Sequence, residues 1–127
     1  MIMEALVIEE NIKTPSISFD PGKGVMEIRG KSIPENSLEF YKPVFEWIEH
    51  YGQSPSADTE VRIRLEYFNT SSSKCLLDIF RKMEMIHLGG KSKVHVNWYY
   101  EEEDEDMMEA GDDYQTLVKI PFSLIKV

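Results

Sequence analysis

The chain has 127 residues, a formal net charge of −9 and one cysteine, Cys75. This length suits a single domain over residues 1–127, and a hydrophobic content of 42% is enough for a core that needs no disulfide or metal. A lone cysteine is typical of a reducing compartment, so we expect a cytoplasmic protein. Residues 1–10 are acidic, unlike a signal peptide, and no apolar run reaches the roughly 18 residues of a membrane helix.

The negative charge is concentrated in one segment, residues 101–113. This segment holds nine of the 23 acidic residues and no Lys or Arg, and the other 14 acidic residues equal the 14 basic ones in number. Proteins that bind nucleic acid need a basic surface that neutralises phosphates, and an anionic membrane would repel this chain. We therefore expect neither nucleic-acid binding nor membrane insertion.

Hydrophobic periodicity predicts elements in the order β-ββ-α-β-α-β-α-β. The predicted strands are residues 4–9, 16–20, 25–29, 60–68 and 94–100, with a last strand inside 117–127. In the fourth strand, apolar residues alternate with charged ones, at Val61, Ile63, Leu65 and Tyr67. Such alternation indicates one buried and one solvated face, and β–α–β units connect parallel strands by right-handed crossovers. We predict an α/β (α+β) fold with a mixed sheet of four to six strands and helices packed on one face.

The first helix is predicted between Ser32 and Gly52. Ser32 and Glu35 have the spacing of a capping box, and Gly52 is a typical helix end. Apolar residues at helical spacing form its inner face: Leu38, Tyr41, Val44, Phe45 and Ile48. Because Pro43 has no backbone N–H, we expect a kink or a restart at residues 39–42.

The second helix is predicted to follow residues 69–74 and to end at Gly89-Gly90. Cys75 lies on its apolar face, a position that favours a core residue over a nucleophile. A third, short helix is predicted over residues 105–110, inside the acidic segment.

Four consecutive hydroxyl residues follow Asn69, at the predicted junction between a strand and the second helix: Thr70, Ser71, Ser72 and Ser73. Residues of these types cap helices, and one cap is enough for one helix. A phosphate attached here would meet free backbone N–H groups at the positive end of the helix dipole, with Lys74 nearby. The residues alone therefore leave two interpretations open, a plain helix cap and a phosphorylation site.

Five blocks along the chain resemble the SiaC family of regulatory phosphoproteins. They are residues 14–15 with 19–21, 30–41 (GKSIPENSLEFY), 65–80 (LEYFNTSSSKCLLDIF), 98–111 (WYYEEEDEDMMEAG) and 121–122. The segment around the hydroxyl run is also similar to the phosphorylation loop of STAS-type anti-sigma-factor antagonists. The resemblance implies a STAS-like domain and no enzymatic activity.

The resemblance further implies a partner switch centred on Thr70. In such a switch a Ser/Thr protein kinase phosphorylates the protein, a PP2C-type phosphatase reverses this, and the unmodified form binds and activates a diguanylate cyclase. Residues around the phosphorylation site would contact the partner: Asn69, Ser71, Ser72 and Lys74. Asn69 and Lys74 depart from the wider STAS pattern, which has Asp before the hydroxyl residue and often Gly after the serines. These departures favour a cyclase as the output partner over a sigma-factor pathway, and a role as an anti-sigma-factor antagonist is the alternative.

The acidic segment could hold metal or supply acid and base groups, and this is the competing enzyme interpretation for residues 101–113. Calcium loops, however, need acidic ligands at alternate positions before a Gly, whereas these acids are contiguous. A solvated face that meets a basic partner surface fits a charge run better, with Glu102, Glu103 and Glu105 as candidate contacts. No phosphate-binding or nucleophile motif is present in the sequence, so we expect no cofactor and no metal.

Overall fold

The computed structural model of the protein describes residues 3–127. Its elements follow the predicted order: β1 (Leu6–Ile8), β2 (Ser16–Asp20), β3 (Val25–Ser32), α1 (Ser37–Tyr51), β4 (Asp58–Phe68), α2 (Thr70–Leu88), β5 (Lys93–Tyr100), α3 (Glu105–Leu117) and β6 (Phe122–Lys126). The strands form one six-stranded sheet in the order β1-β2-β3-β4-β5-β6. The mixed α/β fold is therefore confirmed, with the number of strands at the upper end of the predicted range.

The sheet has an antiparallel half and a parallel half. β1, β2 and β3 pair antiparallel, whereas β3, β4, β5 and β6 pair parallel and are connected by α1, α2 and α3. Each crossover leads to the adjacent strand, and crossovers of one hand that advance in one direction place their helices on the same face. The inner face of the sheet and the helices share one core, which includes Ile17, Phe19, Met26, Ile28, Val61, Ile63, Val96 and Trp98 from the strands and Tyr41, Val44, Cys75, Leu76, Phe80 and Met83 from the helices. Cys75 is thus a core residue, and burial raises the pKa of its thiol.

The first helix begins later than the sequence predicted. Ser32 is the last residue of β3 and is fully buried, so it is not a cap. Asn36 caps α1 instead, and its Oδ1 accepts a hydrogen bond from the Glu39 N–H at 3.1 Å. Leu38 is 69% exposed and lies outside the apolar face. The helix runs without a break through Pro43, so the restart was wrong.

A β-bulge changes the end of β4. Gly30 of β3 pairs with Leu65, but the next residue, Lys31, pairs with Tyr67, which leaves Glu66 as the extra residue. The bulge ends the predicted alternation, so Tyr67 is 57% exposed rather than buried. Phe68 packs inward in its place, with its ring edge against Trp98 at a centroid distance of 6.1 Å.

The third helix has 13 residues, more than twice the length of the predicted helix over residues 105–110, because its buried face continues to Tyr114. Met107, Gly111 and Tyr114 are buried at helical spacing, and the Tyr114 ring packs on Phe80 at a centroid distance of 5.0 Å. Over residues 3–127, no helix combines the length and the apolar character needed to cross a membrane.

Candidate phosphorylation and partner-binding site

All three helices begin at the same edge of the sheet, the carboxyl end of the parallel strands. α1 follows β3, α2 follows β4 after a single residue, and α3 follows β5. This edge is where α/β sheets usually bind their ligands. It carries both candidate segments, the hydroxyl run at residues 69–74 and the start of the acidic segment at residues 101–105. Parallel packing thus brings to one edge two segments that are about 30 residues apart in sequence.

Asn69 fixes the start of α2. Its Oδ1 accepts hydrogen bonds from the Ser72 N–H at 2.9 Å and from the Ser71 hydroxyl at 3.2 Å. Its own N–H donates to the Ser32 carbonyl at 2.9 Å, which ties the cap to β3. The cap is therefore Asn69, and the four hydroxyl residues form the first turn of the helix.

Thr70 is the first residue of α2, and its side chain is exposed. Within residues 3–127 its hydroxyl makes no hydrogen bond, and the N–H groups of Thr70 and Ser71 have no acceptor. Lys74 is exposed one turn later, on the same side of the helix, because residues four apart lie above one another. An added phosphate would find unpaired donors, the positive end of the helix dipole and a cation.

The three serines of the run are already engaged. Ser71 is exposed, but its Oγ lies 2.6 Å from the Ser37 Oγ at the start of α1. Ser73 is partly buried and donates to the Thr70 carbonyl at 2.7 Å. Ser72 is fully buried, so the expectation that its side chain contacts a partner directly is wrong. Thr70 alone in this run combines exposure with an uncommitted hydroxyl.

A chain of hydroxyl groups, all buried except that of Ser71, connects this turn to the core. It runs from Tyr41 to Ser32 (2.6 Å), Ser72 (2.7 Å), Ser37 (3.4 Å), Ser71 (2.6 Å) and the Asn69 Oδ1 (3.2 Å). Burial raises the pKa of Tyr41 to about 12. These contacts between hydroxyl groups were not predicted from the sequence. The pattern that indicated a buried Ser32 is the alternation of β3, in which Met26 and Ile28 also face inward.

The acidic segment has a structural role as well as a charge. The Asp104 side chain caps α3 by accepting from the Met107 N–H at 3.0 Å. Glu105 lies in the first turn, where a negative charge stabilises the helix dipole. Glu102 and Glu103 are exposed, and Glu102 lies 3.5 Å from the Lys126 ammonium. In the described part of the chain, no three His, Cys, Asp or Glu residues are grouped so that they could hold a metal ion.

α3 also contacts the hydroxyl run directly. The Tyr114 hydroxyl donates to the Ser73 carbonyl at 2.8 Å, and burial raises the pKa of this phenol. The first turn of α2 is therefore held from three sides: by β3 through Asn69, by α1 through Ser71, and by α3 through Ser73.

Comparison with known proteins identifies the family. A model of the SiaC family of regulatory phosphoproteins matches residues 8–127. SiaC of Pseudomonas aeruginosa superposes with a TM-score of 0.88 at 31% identity, over 98% of this chain and 100% of that one. A chain in the crystal structure of the diguanylate cyclase SiaD in complex with its activator SiaC, also from Pseudomonas aeruginosa, gives 0.90 at 32% identity, over 96% and 99%. An uncharacterized protein of Pseudomonas aeruginosa strain UCBPP-PA14 is 33% identical over 122 residues, which cover 96% of each chain. The chain therefore belongs to the SiaC family of regulatory phosphoproteins.

Proposed function

We propose that this protein is a phosphorylation-switched activator of a diguanylate cyclase and acts in the cytoplasm by binding rather than by catalysis. The unmodified form binds and activates the cyclase. A Ser/Thr protein kinase phosphorylates Thr70 and so blocks binding, and a PP2C-type phosphatase restores it. The observation that carries this proposal is the exposed, uncommitted hydroxyl of Thr70 among three engaged serines. The relative SiaC, which is the activator of SiaD in a crystallised complex, supports the choice of partner.

The fold tolerates the modification because the Thr70 hydroxyl makes no hydrogen bond within the described residues that it could lose. The added group carries about −1.5 to −2 charges and three acceptor oxygens. The unpaired N–H groups of Thr70 and Ser71 can donate to it, and Lys74 balances part of its charge. The change therefore stays local, and the sheet and core keep their packing.

The surface around Thr70 suits a close protein contact. Tyr67 is 57% exposed through the bulge, and Leu38 is 69% exposed beside Ser37, which the Ser37–Ser71 contact of 2.6 Å places next to α2. Tyr is one of the residue types that are enriched in binding hot spots, and an exposed Leu adds apolar contact area. We propose that Asn69, Ser71 and Lys74 lie in the same contact.

Phosphorylation blocks this contact by electrostatics. A tight interface would have to desolvate the new dianion, and burying an unpaired charge costs several kcal/mol. Since about 1.4 kcal/mol corresponds to a tenfold change in affinity, a partner without a matching cation loses binding by orders of magnitude.

The test is a titration of the protein against a candidate diguanylate cyclase encoded by the same organism, with cyclase activity measured in parallel. Thr70→Ala should bind and activate like the unmodified protein, and the form phosphorylated on Thr70 should do neither. Thr70→Asp should weaken binding only partly, because a carboxylate has less charge and fewer acceptors than a phosphate. Ser73→Ala is the matched control, since it removes a neighbouring hydroxyl that lies outside the proposed contact. Equal binding by the phosphorylated and unmodified forms would rule out the switch.

A further inference from the structure

The hydroxyl chain has a single direction. A serine hydroxyl has one proton to donate and two lone pairs to accept with. Ser32 donates to Ser72 and Ser71 donates to the Asn69 Oδ1, which can only accept. Because the single protons of Ser32 and Ser71 are used in these bonds, Tyr41 must donate to Ser32, and Ser37 must donate to Ser71. The Ser71 hydroxyl therefore donates its proton to the Asn69 Oδ1 and accepts a hydrogen bond from Ser37 on one of its two lone pairs.

This arrangement affects which hydroxyl can accept a phosphoryl group. In the transfer, a hydroxyl oxygen attacks the γ-phosphorus of a nucleoside triphosphate, the bond to the diphosphate leaving group breaks, and the hydroxyl proton passes to a base of the kinase. The attacking group must be free to rotate toward the phosphorus and to release its proton. Thr70 satisfies both conditions, whereas Ser71 is exposed to solvent but held on both sides.

We propose that Ser37 is a positioning residue that confines phosphorylation to Thr70 by holding the hydroxyl of Ser71. Ser37 is only 4% exposed, lies on another helix and touches no reacting group, so it acts through Ser71. This role rests on the proposed function, and it explains why Thr70 and not Ser71 is the modified residue.

The experiment expresses variants in the organism that encodes this chain, so that the native kinase acts on them, and maps phosphate by intact mass and phosphopeptide analysis. The wild type should carry one phosphate, on Thr70. Thr70→Ala should carry none, because Ser71 is held. Thr70→Ala with Ser37→Ala should regain one phosphate, now on Ser71. The hydrogen bond to the Asn69 Oδ1 that remains is longer, at 3.2 Å, and exposed to solvent, so the Ser71 hydroxyl can rotate away from it.

The matched control is Thr70→Ala with Ser32→Ala. This variant removes a buried hydroxyl from the same chain but keeps the Ser37–Ser71 contact, so it should remain unmodified. A thermal unfolding transition recorded for each variant checks that it is folded. If the Ser37→Ala variant does not fold, Ser37→Cys replaces it with the same expected result, because a thiol is similar in shape but a weak donor.

Three results would overturn the inference while the proposed function stands. They are phosphate on Ser71 in Thr70→Ala alone, no phosphate after Ser37 is replaced, and equal phosphate on Ser71 in the Ser32→Ala control. A wild-type protein without phosphate on Thr70 would instead refute the proposed function, and the inference with it.

Discussion

The side chain of Asn69 caps α2, so the side chain of Thr70 is not needed for this role. The Asn69 Oδ1 satisfies the Ser72 N–H, while the Thr70 side chain is exposed and makes no hydrogen bond within the described residues. A residue in this situation can be modified, or replaced, with little effect on the folded state. The division of roles between the two neighbours can be measured.

We expect Thr70→Ala to change the free energy of unfolding by no more than about 0.5 kcal/mol, as for other surface substitutions. Asn69→Ala should cost about 0.5–2 kcal/mol, because it removes the helix cap. Urea denaturation of the two variants measures both values. A larger loss for Thr70→Ala than for Asn69→Ala would show that Thr70 is a structural residue.

The buried phenol of Tyr41 makes the free energy of unfolding decrease at alkaline pH. Burial raises its pKa from 10.0 to about 12, so the unfolded chain loses this proton at a lower pH than the folded one. The resulting stabilisation is fully present below pH 10.0 and is lost as the pH rises toward about 12. Tyr41→Phe should therefore lower stability at neutral pH by about 0.5–1.5 kcal/mol through the lost hydrogen bond, and should show a weaker alkaline decline.

Urea midpoints below pH 10.0 and between 10.0 and about 12 test this dependence. Tyr67→Phe is the control, because it removes an exposed phenol that lies outside the hydroxyl chain. The prediction is wrong if the Tyr41→Phe variant declines as steeply as the wild type.

At the scale of elements, α3 lies close to the sheet because one of its residues has no side chain. A Cβ at Gly111 would lie 2.5 Å from Trp98 Cδ1 and 2.8 Å from Leu124 Cδ2. The close approach lets the Trp98 Nε1–H donate to the Met107 carbonyl at 2.9 Å. The same contact holds the acidic segment at the edge of the sheet, beside the hydroxyl run.

Gly111→Ala should destabilise the protein by about 1–3 kcal/mol, the usual cost of overpacking a closely packed contact. Gly22→Ala is the control, since its Cβ would meet only the Asp20 Oδ1, at 3.5 Å. Denaturation followed by tryptophan fluorescence reports both changes, because Trp98 is fully buried. Equal stability of the two variants would mean that α3 can move away from the sheet without cost.

At the scale of the whole molecule, the charge distribution is suited to speeding the association with a partner protein. The excess negative charge lies in a segment whose start is exposed at the same edge as Thr70. Complementary charge raises the association rate more than it raises the final affinity. An acidic surface beside the proposed contact would therefore direct a basic partner surface toward it.

Replacing Glu102, Glu103 and Glu105 with Gln should slow association with the cyclase at low salt, and added salt should remove the difference, because screening acts on exposed charges. Asp104 is left unchanged, since it caps α3. The control makes the same change in net charge at exposed acids outside the acidic segment, with Glu9→Gln, Glu46→Gln and Asp78→Asn. Stopped-flow association rates that are the same for both triple variants would contradict the prediction.

The sequence by itself determined the order of the elements and the class of the fold. Period-two and helical apolar patterns are local, so strands such as residues 16–20 and helix ends such as Gly52 and Gly89 could be located from neighbouring residues alone. The hydroxyl run could likewise be placed at a strand–helix junction, and the blocks of residues indicated the family. The assignment of phosphate to Thr70 remains a prediction.

Tertiary structure decided which of these residues are free. Ser72 is buried and Ser71 is held because Ser32 lies against Ser72 and Ser37 against Ser71. These pairs are 40 and 34 positions apart in sequence, and the pairing of β3 with β4 and of α1 with α2 brings them together. The bulge that exposes Tyr67 likewise depends on the register between two strands. Such contacts join residues that are distant in the chain, and no local pattern contains them. The physical reason is that a hydroxyl is committed by its partner in space, and only the folded chain supplies that partner.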